Sequence, residues 1–230
     1  MKRYNVNEIF YSLQGEGSGT GEASVFVRFF GCNRTCSFCD TVQKEFEQLT
    51  SDEIITRIKG VLDDFGVVEN SPRLRIVLTG GEPTLQIDEE LIYALNNEFG
   101  NGIKIQVETN GTRLSRIPES VLANVYLTIS PKTLEDARSV AERLRGSIVE
   151  SCKGVEIKLV SSPLYDRDNE LVETLRVFEN ISDSVACYLQ PLDSGNSEEN
   201  IKELEKCIRV VKSNPKWRLS LQTHKIIGIR

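Results

Sequence analysis

Short apolar runs alternate with amphipathic segments along most of the chain. Runs rich in β-branched and aromatic residues predict strands at residues 25–30, 75–79, 103–108, 125–129, 155–160 and 185–189. Apolar residues at helical spacing predict one helix that starts near Thr50 and others at 88–99, 133–145, 166–179 and 197–213. Thr50 and Glu53 have the spacing of a capping box, which marks the start of the first helix.

Strands that alternate with helical crossovers form parallel sheets with right-handed connections, so we expect an α/β fold. In such sheets, ligands bind at the carboxyl ends of the strands. Polar segments follow several predicted strands directly, at residues 31–41, 80–83, 108–111, 130–132 and 190–191. The sequence therefore predicts that these segments meet at one edge of the sheet and form one site.

Length and composition are those of an ordinary globular protein. The 230 residues are 39% hydrophobic and 27% charged, and we expect one domain over residues 1–230. The formal net charge of −6 provides no basic field for a nucleic-acid backbone, so no nucleic acid partner is expected. No apolar run approaches the roughly 20 residues that span a bilayer, and the first residues lack an apolar signal core. We therefore expect no membrane association and a cytoplasmic location.

Three of the six cysteines, Cys32, Cys36 and Cys39, are closely spaced and are expected to stay reduced. Thiolates spaced C-x3-C-x2-C in a loop can bind three corners of a 4Fe-4S cluster, and with no fourth cysteine nearby one iron stays open. The alternative is a zinc site completed by another cysteine or by His224, the only histidine. The other cysteines lie among apolar neighbours and are expected to be small buried hydrophobic residues: Cys152, Cys187 and Cys207.

Residues 32–39 resemble the signature of radical S-adenosylmethionine (SAM) enzymes, including the aromatic Phe38 immediately before the last cysteine. Residues 80–82 resemble a second element of that superfamily, a GGE segment that follows a strand and whose backbone receives the amino group of SAM. The resemblance implies a partial, incomplete parallel βα barrel, with SAM chelated to the open iron of a 4Fe-4S cluster. Reductive cleavage of SAM then provides a 5′-deoxyadenosyl radical.

The start of the chain narrows this resemblance. Residues 8–17 resemble the opening of the 7-carboxy-7-deazaguanine synthases, the ring-contracting enzymes of the queuosine and 7-deazapurine pathways. The similarity continues nearly to the end of the chain, at Arg28 and at residues 39–41, 79–83, 108–111, 130–132, 190–191 and 217–225. It implies conversion of 6-carboxy-5,6,7,8-tetrahydropterin to 7-carboxy-7-deazaguanine with loss of ammonia. Hydrogen is taken from C6 of the pterin, and SAM is regenerated.

The resemblance also implies roles for individual residues. Expected substrate contacts are Leu13, Gln14, Gly15, Glu16, Arg28, Thr79, His224 and Arg230. Among them, Arg28 offers a guanidinium for the substrate carboxylate and Arg230 offers a terminal carboxylate. Expected SAM contacts are Phe38, Gly81, Ser130, Pro131, Lys132, Gln190, Pro191, Leu192 and Asp193. Mg²⁺ is expected beside Thr41, with Asp40 as a helper, because it prefers oxygen ligands. Glu108 is expected to transfer a proton.

Two rival interpretations stay open. A glycyl-radical activating enzyme has a similar cysteine triad and size but acts on a protein, and residues 13–16 and 223–225 argue against it. A non-catalytic iron–sulfur or zinc-binding module binds metal and cleaves no SAM. For the preferred interpretation, the expected partners are the pterin substrate, an electron donor such as flavodoxin or ferredoxin, and a second copy of the chain in a C2 homodimer.

Overall fold

The structure is a computed structural model that describes residues 1–41, 45–68, 74–100, 102–146, 148–161 and 168–230. The strands in these ranges are β1 (Tyr4–Leu13), β2 (Ala23–Phe29), β3 (Glu47–Leu49), β4 (Arg75–Gly80), β5 (Lys104–Thr109), β6 (Tyr126–Ile129), β7 (Gly154–Ser161), β8 (Ala186–Pro191) and β9 (Trp217–Leu219). They form one sheet in the order β3-β1-β2-β4-β5-β6-β7-β8-β9.

The sheet is mostly parallel. Strand β1 is antiparallel to β2 and β3, whereas each later pair of neighbours, from β2 and β4 to β8 and β9, is parallel. Strands β3 and β9 are the two edges, so the sheet does not close on itself. The predicted α/β fold with an incomplete parallel βα barrel is confirmed.

The helices are α1 (Ser51–Asp63), α2 (Glu89–Phe99), α3 (Glu119–Leu122), α4 (Leu134–Leu144), α5 (Ile148–Ser151), α6 (Asp168–Val177), α7 (Ser197–Ser213) and α8 (Thr223–Ile226). The predicted capping box is present, because the Thr50 side chain accepts from Glu53 N and the Glu53 side chain accepts from Thr50 N. Helices α2, α4 and α7 confirm the predicted positions. Of the helix predicted at 166–179, the first two residues lie outside the described ranges, and the helix observed is α6, which ends at Val177, two residues earlier than predicted.

The sequence pattern missed β1, β3, β9 and the four-residue helices α3, α5 and α8. Strands of three residues and single helical turns contain too few residues to show a period. Strand β1 is long, but its polar positions do not alternate regularly, since Asn7 and Glu8 interrupt the pattern where the register with β2 shifts. Tertiary pairing rather than local pattern forms this strand.

The two faces of the sheet differ in polarity. On one face, Leu78, Ile105, Leu127, Ile157 and Leu189 come from five neighbouring strands and pack in the main core with the helices. Successive strand residues point to opposite faces, so the residues that alternate with these point the other way. That second face carries polar side chains, although strands of a parallel sheet covered on both faces are usually apolar throughout. The polar face is therefore the place to look for a site.

The remaining cysteines agree with the prediction of buried hydrophobic residues. Cys187 and Cys207 are 1% and 0% exposed, and the partly buried Cys152 packs against the core. Burial raises the pKa of each of these thiols to about 11, which keeps them protonated at neutral pH. In the described part of the chain, no helix combines the length and the apolar character needed to cross a membrane.

Candidate active site

A cavity of about 960 Å³ opens on the polar face of the sheet, at the carboxyl ends of the parallel strands. Its wall includes side chains from the ends of β4, β5, β6, β7 and β8, together with residues from β1, the loop after β2 and the C-terminal segment. The polar segments that follow the predicted strands therefore meet in one place. This arrangement matches the general position of ligand sites in parallel sheets.

The cysteine loop, residues 31–41, forms one side of the cavity, and Cys32, Cys36 and Cys39 all line it. The loop is mostly exposed and has little regular structure: Arg34 N donates to Cys32 Sγ at 3.4 Å, and Cys39 N donates to Cys36 O at 3.2 Å. Cys36 is the least exposed of the three thiols, and its burial raises the pKa, while the nearby Lys132 opposes that rise. The three thiols face the same space.

Two side chains of the loop, Asn33 and Arg34, fix its first half to the neighbouring elements. The Asn33 side chain donates to Thr112 Oγ1 at 2.8 Å and accepts from Asn110 Nδ2 at 2.9 Å. The Arg34 guanidinium pairs with Asp136 in the first turn of α4. The first cysteines are therefore held against the ends of β5 and β6, even though the loop itself is exposed.

The donor set fits an iron–sulfur cluster better than a single zinc ion. In the described ranges, no three His, Cys, Asp or Glu side chains lie close enough to chelate one metal ion. A cubane cluster spreads its thiolates over separate corners, so it does not need them to converge on one point. Cys152, Cys187 and Cys207 do not line the cavity. Three thiols facing one cavity fit a 4Fe-4S cluster whose fourth iron has no cysteine ligand.

Residues 80–82 connect the end of β4 to the end of β2 and to the start of the cysteine loop. Gly81 N donates to Phe29 O at 2.9 Å, and Glu82 N donates to Gly31 O at 2.8 Å at the start of the cysteine loop. Gly80 has φ +116°, and a Cβ there would lie 2.3 Å from Phe29 O, so only glycine fits. Gly80 therefore allows the main chain to pass directly beside β2 and the start of the cysteine loop.

The side chain of Glu82 has a structural role that the sequence did not reveal. It is fully buried and accepts hydrogen bonds from Thr84 N (3.1 Å), Thr109 Oγ1 (2.7 Å) and Asn110 N (2.7 Å). This carboxylate ties the end of β4 to the end of β5. It therefore fixes the relative position of two of the segments that meet at the cavity.

The base of the cavity is a network of buried and half-buried polar groups, which we call the polar floor: Gln14, Glu16, Thr79, Glu108, Lys158, Gln190 and Gln222. Glu108 Oε1 accepts from Gln14 Nε2 at 3.1 Å, and Glu108 Oε2 accepts from Thr79 Oγ1 at 2.8 Å. The predicted proton-transfer residue thus contacts two predicted substrate residues.

The second carboxylate of the polar floor is Glu16. Its Oε1 accepts from the side-chain amides of Gln190 and Gln222, each at 3.0 Å, and its Oε2 accepts from Lys158. Burial alone raises the pKa of Glu16, but the ion pair with Lys158 and the amide donors outweigh it and lower the pKa to about 2. Glu16 is therefore an ionised, acceptor-only carboxylate at neutral pH.

His224 lies against the turn that follows β1. A Cβ on Gly15 would be 2.0 Å from His224 Nδ1, so a glycine is needed at that position. Thr223 N donates to Gly15 O at 3.0 Å and holds the C-terminal segment there. Burial lowers the pKa of His224, which favours the neutral imidazole at pH 7.

Arg28 and Arg230 share one carboxylate at the cavity wall. Arg28 Nε donates to Glu8 Oε1 at 2.7 Å, and the Arg230 guanidinium pairs with the other oxygen of Glu8. Both guanidiniums also lie over the ring of Phe10. The main-chain oxygen of Arg230 accepts from Ser12 Oγ at 2.5 Å, and the predicted contact of its terminal carboxylate with the substrate stays a prediction.

The predicted magnesium residues, Asp40 and Thr41, also line the cavity. Asp40 pairs with Lys225 Nζ at 3.2 Å, and the same ammonium pairs with Asp193 at 3.0 Å. Backbone and side-chain hydrogen bonds lower the pKa of Asp193 to about 2. Lys225 therefore connects the cysteine loop to the segment after β8.

Residues 26–157, more than half of the chain, match the family described as the radical SAM superfamily. A 7-carboxy-7-deazaguanine synthase from Bacteroides thetaiotaomicron is 38% identical over 225 residues, which cover 98% of each chain. A protein of the same name from Bradyrhizobium diazoefficiens is 35% identical over 99% of each chain. The chain belongs to the radical SAM family of 7-carboxy-7-deazaguanine synthases. A crystal structure of QueE from Escherichia coli shares the fold, with a TM-score of 0.64, 24% identity and coverage of 95% of this chain and 93% of that one.

Nearly all the residues that this family resemblance singled out line the cavity. The two that do not are Pro131 and Pro191. Their neighbours Ser130, Lys132 and Gln190 do line it, and in extended backbone alternate side chains point in opposite directions. The two prolines therefore lie between residues that line the site without lining it themselves. The binding roles of the lining residues remain predictions.

Sequence reasoning missed Lys158 and a second polar row below the floor. In that row, Gln106 Nε2 donates to Thr128 Oγ1 and Thr128 Oγ1 donates to Glu156 Oε1, both at 2.8 Å. Ser18 N closes the row with a hydrogen bond to Glu156 at 3.0 Å. The available signal was the pair of charged residues at alternate positions of an otherwise apolar strand, Glu156 and Lys158.

Proposed function

We propose that this chain is a radical SAM enzyme that converts 6-carboxy-5,6,7,8-tetrahydropterin to 7-carboxy-7-deazaguanine with loss of ammonia, in the biosynthesis of queuosine or another 7-deazapurine. The observation that carries the proposal is the near full-length similarity to proteins named for this activity. The structure adds that the cysteine triad and the polar floor share one cavity. A glycyl-radical activating enzyme has no need for such a floor, because its substrate is a protein.

The thiolates of Cys32, Cys36 and Cys39 would hold the 4Fe-4S cluster, and the cluster with SAM supplies the radical chemistry when both are bound. Phe38, Gly81, Ser130, Lys132, Gln190, Leu192 and Asp193 line the part of the wall assigned to SAM. Pro131 and Pro191 contribute through the backbone between those residues. The protein's own share of the chemistry is to orient the substrate and to exclude water.

The polar floor fits the polar edge of a pterin. Gln14 offers an amide, Glu16 and Glu108 offer carboxylate oxygens, and Thr79 offers a hydroxyl. Leu13, Gly15 and His224 complete that side of the cavity. Arg28 and the Arg230 guanidinium are neighbouring cations of the wall, which suits a carboxylate. Glu108 would hold or move a proton, since it lines the cavity and each of its oxygens accepts one described hydrogen bond, which leaves further acceptor capacity.

Four further features belong to the proposal. Mg²⁺ would bind near Thr41 and Asp40, two oxygen-bearing residues that line the cavity. An external electron donor such as flavodoxin or ferredoxin would reduce the cluster, which lies on an exposed loop. The enzyme would work in the cytoplasm, where thiols stay reduced. It would pair as a C2 homodimer and form one domain over residues 1–230.

Anaerobic reconstitution followed by incubation with SAM, reductant, Mg²⁺ and the carboxytetrahydropterin tests the proposal. Mass analysis should detect 7-carboxy-7-deazaguanine. If SAM is cleaved to 5′-deoxyadenosine but the pterin is unchanged, the substrate assignment is wrong and only the superfamily chemistry stands. If no SAM is cleaved by a protein that holds its full complement of iron, the enzymatic assignment is wrong.

A further inference from the structure

Lys158 carries a buried positive charge in the polar floor. Its side chain is 9% exposed, lines the cavity from β7 and pairs with Glu16, whose side chain is 14% exposed. A buried ammonium is costly unless a carboxylate or several acceptors compensate it. Position 158 could hold an apolar residue, as position 160 does, since Val160 lies on the same face of β7 and also lines the cavity. The buried charge of Lys158 therefore indicates a function at the cavity.

Glu16 has almost all of its hydrogen-bonding capacity occupied. A carboxylate offers about four acceptor positions, and the amides of Gln190 and Gln222 take both on Oε1. Lys158 takes one on Oε2, so one acceptor position is left on Oε2 of this cavity-lining residue. The three partners come from β7, β8 and the C-terminal segment and fix the carboxylate from three sides. The one remaining position on the Glu16 carboxylate can only accept a hydrogen bond.

We propose that Lys158 is a positioning residue that holds Glu16 as an oriented, acceptor-only carboxylate for an N–H group on the aminopyrimidinone edge of the substrate. The inference rests on the proposed function, because the pterin presents such N–H groups. Lys158 does not itself contact the substrate in this account. It acts through Glu16.

The charges around Glu16 show why Lys158 decides its protonation state. Lys132 and the imidazole of His224 are the other basic groups that act on this pair, and Glu108 and Glu156 are the acidic ones. Burial lowers the pKa of both Lys132 and His224, so neither is a strong substitute for Lys158. Without Lys158, burial is left as the main influence on Glu16 and raises its pKa above the ordinary value.

A protonated Glu16 turns an acceptor into a donor. Its O–H group would then face an N–H group of the ligand, and one of the two donors would lack a partner. An unmatched buried donor costs more than the hydrogen bond it replaces. Loss of Lys158 should therefore weaken binding of the pterin most at low pH, where protonation of Glu16 is favoured, and least at high pH.

Calorimetric binding of the carboxytetrahydropterin to reconstituted, SAM-loaded, unreduced protein tests this without turnover, from about pH 6 to about pH 9. In the wild type and in Lys158→Arg, Glu16 keeps a cationic partner and stays ionised over this range. For both proteins we therefore expect no loss of affinity at low pH through protonation of Glu16. For Lys158→Met, we expect affinity to fall about tenfold to a hundredfold at the acid end and to recover as pH rises. Lys104→Met, which removes a lysine paired to Glu22 outside the cavity, is the matched control.

The double variant Glu16→Gln with Lys158→Met separates this role from a purely structural one. It replaces the ion pair by neutral groups, so it should regain the thermal stability that either single variant loses. Binding of the pterin should stay weak, with no pH dependence from position 16. This variant keeps the test valid if Lys158→Met alone does not fold.

Three outcomes are informative in different ways. If the wild type does not bind the pterin, the proposed function fails and the role of Lys158 falls with it. If the wild type binds but Lys158→Met keeps the same affinity at every pH, only the inference about Lys158 is overturned. It is also overturned if the double variant binds as tightly as the wild type, since Glu16 is then not the acceptor.

Discussion

The cysteine loop and the polar floor face the same cavity but are built in opposite ways. The loop is a short stretch of consecutive residues, mostly exposed, with few hydrogen bonds of its own. The floor takes its side chains from β4, β5, β7, β8 and from segments near both ends of the chain, and most of them are buried. We infer that the loop gains its final geometry from the cluster it holds, whereas the floor is preorganised by the fold. Variants should therefore affect loading of the cluster in one region, and folding or ligand affinity in the other.

The largest effect is expected from Cys36→Ala. Removal of one of three thiolates should abolish cluster binding and turnover, because no other cysteine lines the described cavity wall. The exposed loop contributes little to the core, so thermal stability of the metal-free protein should hardly change. Iron content and visible absorbance after reconstitution measure the loss. Cys152→Ala, outside the cavity, should retain its iron, and equal iron in both variants would contradict the assignment.

Glu82→Gln should lower the stability of the fold and not only the enzymatic activity. The substitution replaces an acceptor by an amide donor that faces the donors Thr84 N, Thr109 Oγ1 and Asn110 N. The expected loss in free energy of unfolding is about 2 to 4 kcal/mol, measured by denaturant unfolding of the metal-free protein. Glu173→Gln, which removes an exposed pair with Arg138, should cost well under half as much. Equal losses of stability in the two variants would show that the buried hydrogen bonds of Glu82 do not stabilise the fold more than an exposed ion pair does.

Asp136→Asn should loosen the cysteine loop without unfolding the protein. Asp136 is the partner of Arg34, and its second oxygen lacks a described hydrogen-bond partner, so little else depends on it. We expect iron to be lost in air about threefold to tenfold faster than from the wild type, with the unfolding midpoint nearly unchanged. A variant that loses iron at the wild-type rate would show that the Arg34 contact does not support the loop.

The smallest effect is expected from Glu8→Gln. Removing this charge releases Arg28 and Arg230 from their shared carboxylate and leaves the guanidiniums free for a substrate carboxylate. KM for the pterin should fall about twofold to fivefold with kcat unchanged, which is the scale of a partly exposed ion pair. Glu47→Gln, which removes an exposed pair with Arg57 on the far side of β3, should leave KM unchanged. A higher KM for Glu8→Gln would mean that Glu8 itself binds substrate.

The sequence predicted the loop far better than the floor, for physical reasons. Cluster ligation depends on the spacing of Cys32, Cys36 and Cys39 along the chain, which a sequence displays directly. The pairing of Lys158 with Glu16 joins residues 142 positions apart and depends on the curvature of the sheet. A floor of this kind becomes visible only when β1 and the C-terminal segment are placed against the parallel strands.

The fold shows the same contrast. The apolar runs and helical periods predicted β2, β4 to β8 and the long helices, because each buries a regular face. Strand β1 was missed, since its inward side carries Glu8, Phe10 and Ser12 toward the cavity or its rim rather than a uniform apolar row. The residues that broke the pattern are those near the site. In this chain, an irregular pattern of polar and apolar residues within a strand thus indicates that the strand lies at the site.

Electron paramagnetic resonance of the reduced, reconstituted protein, recorded with and without SAM, tests most directly whether the cysteine loop and the polar floor form one active site. A cluster with one iron free of cysteine should change its signal when SAM is added, and a further change should follow addition of the carboxytetrahydropterin. A signal that neither compound alters, in protein with a full complement of iron, would contradict the account.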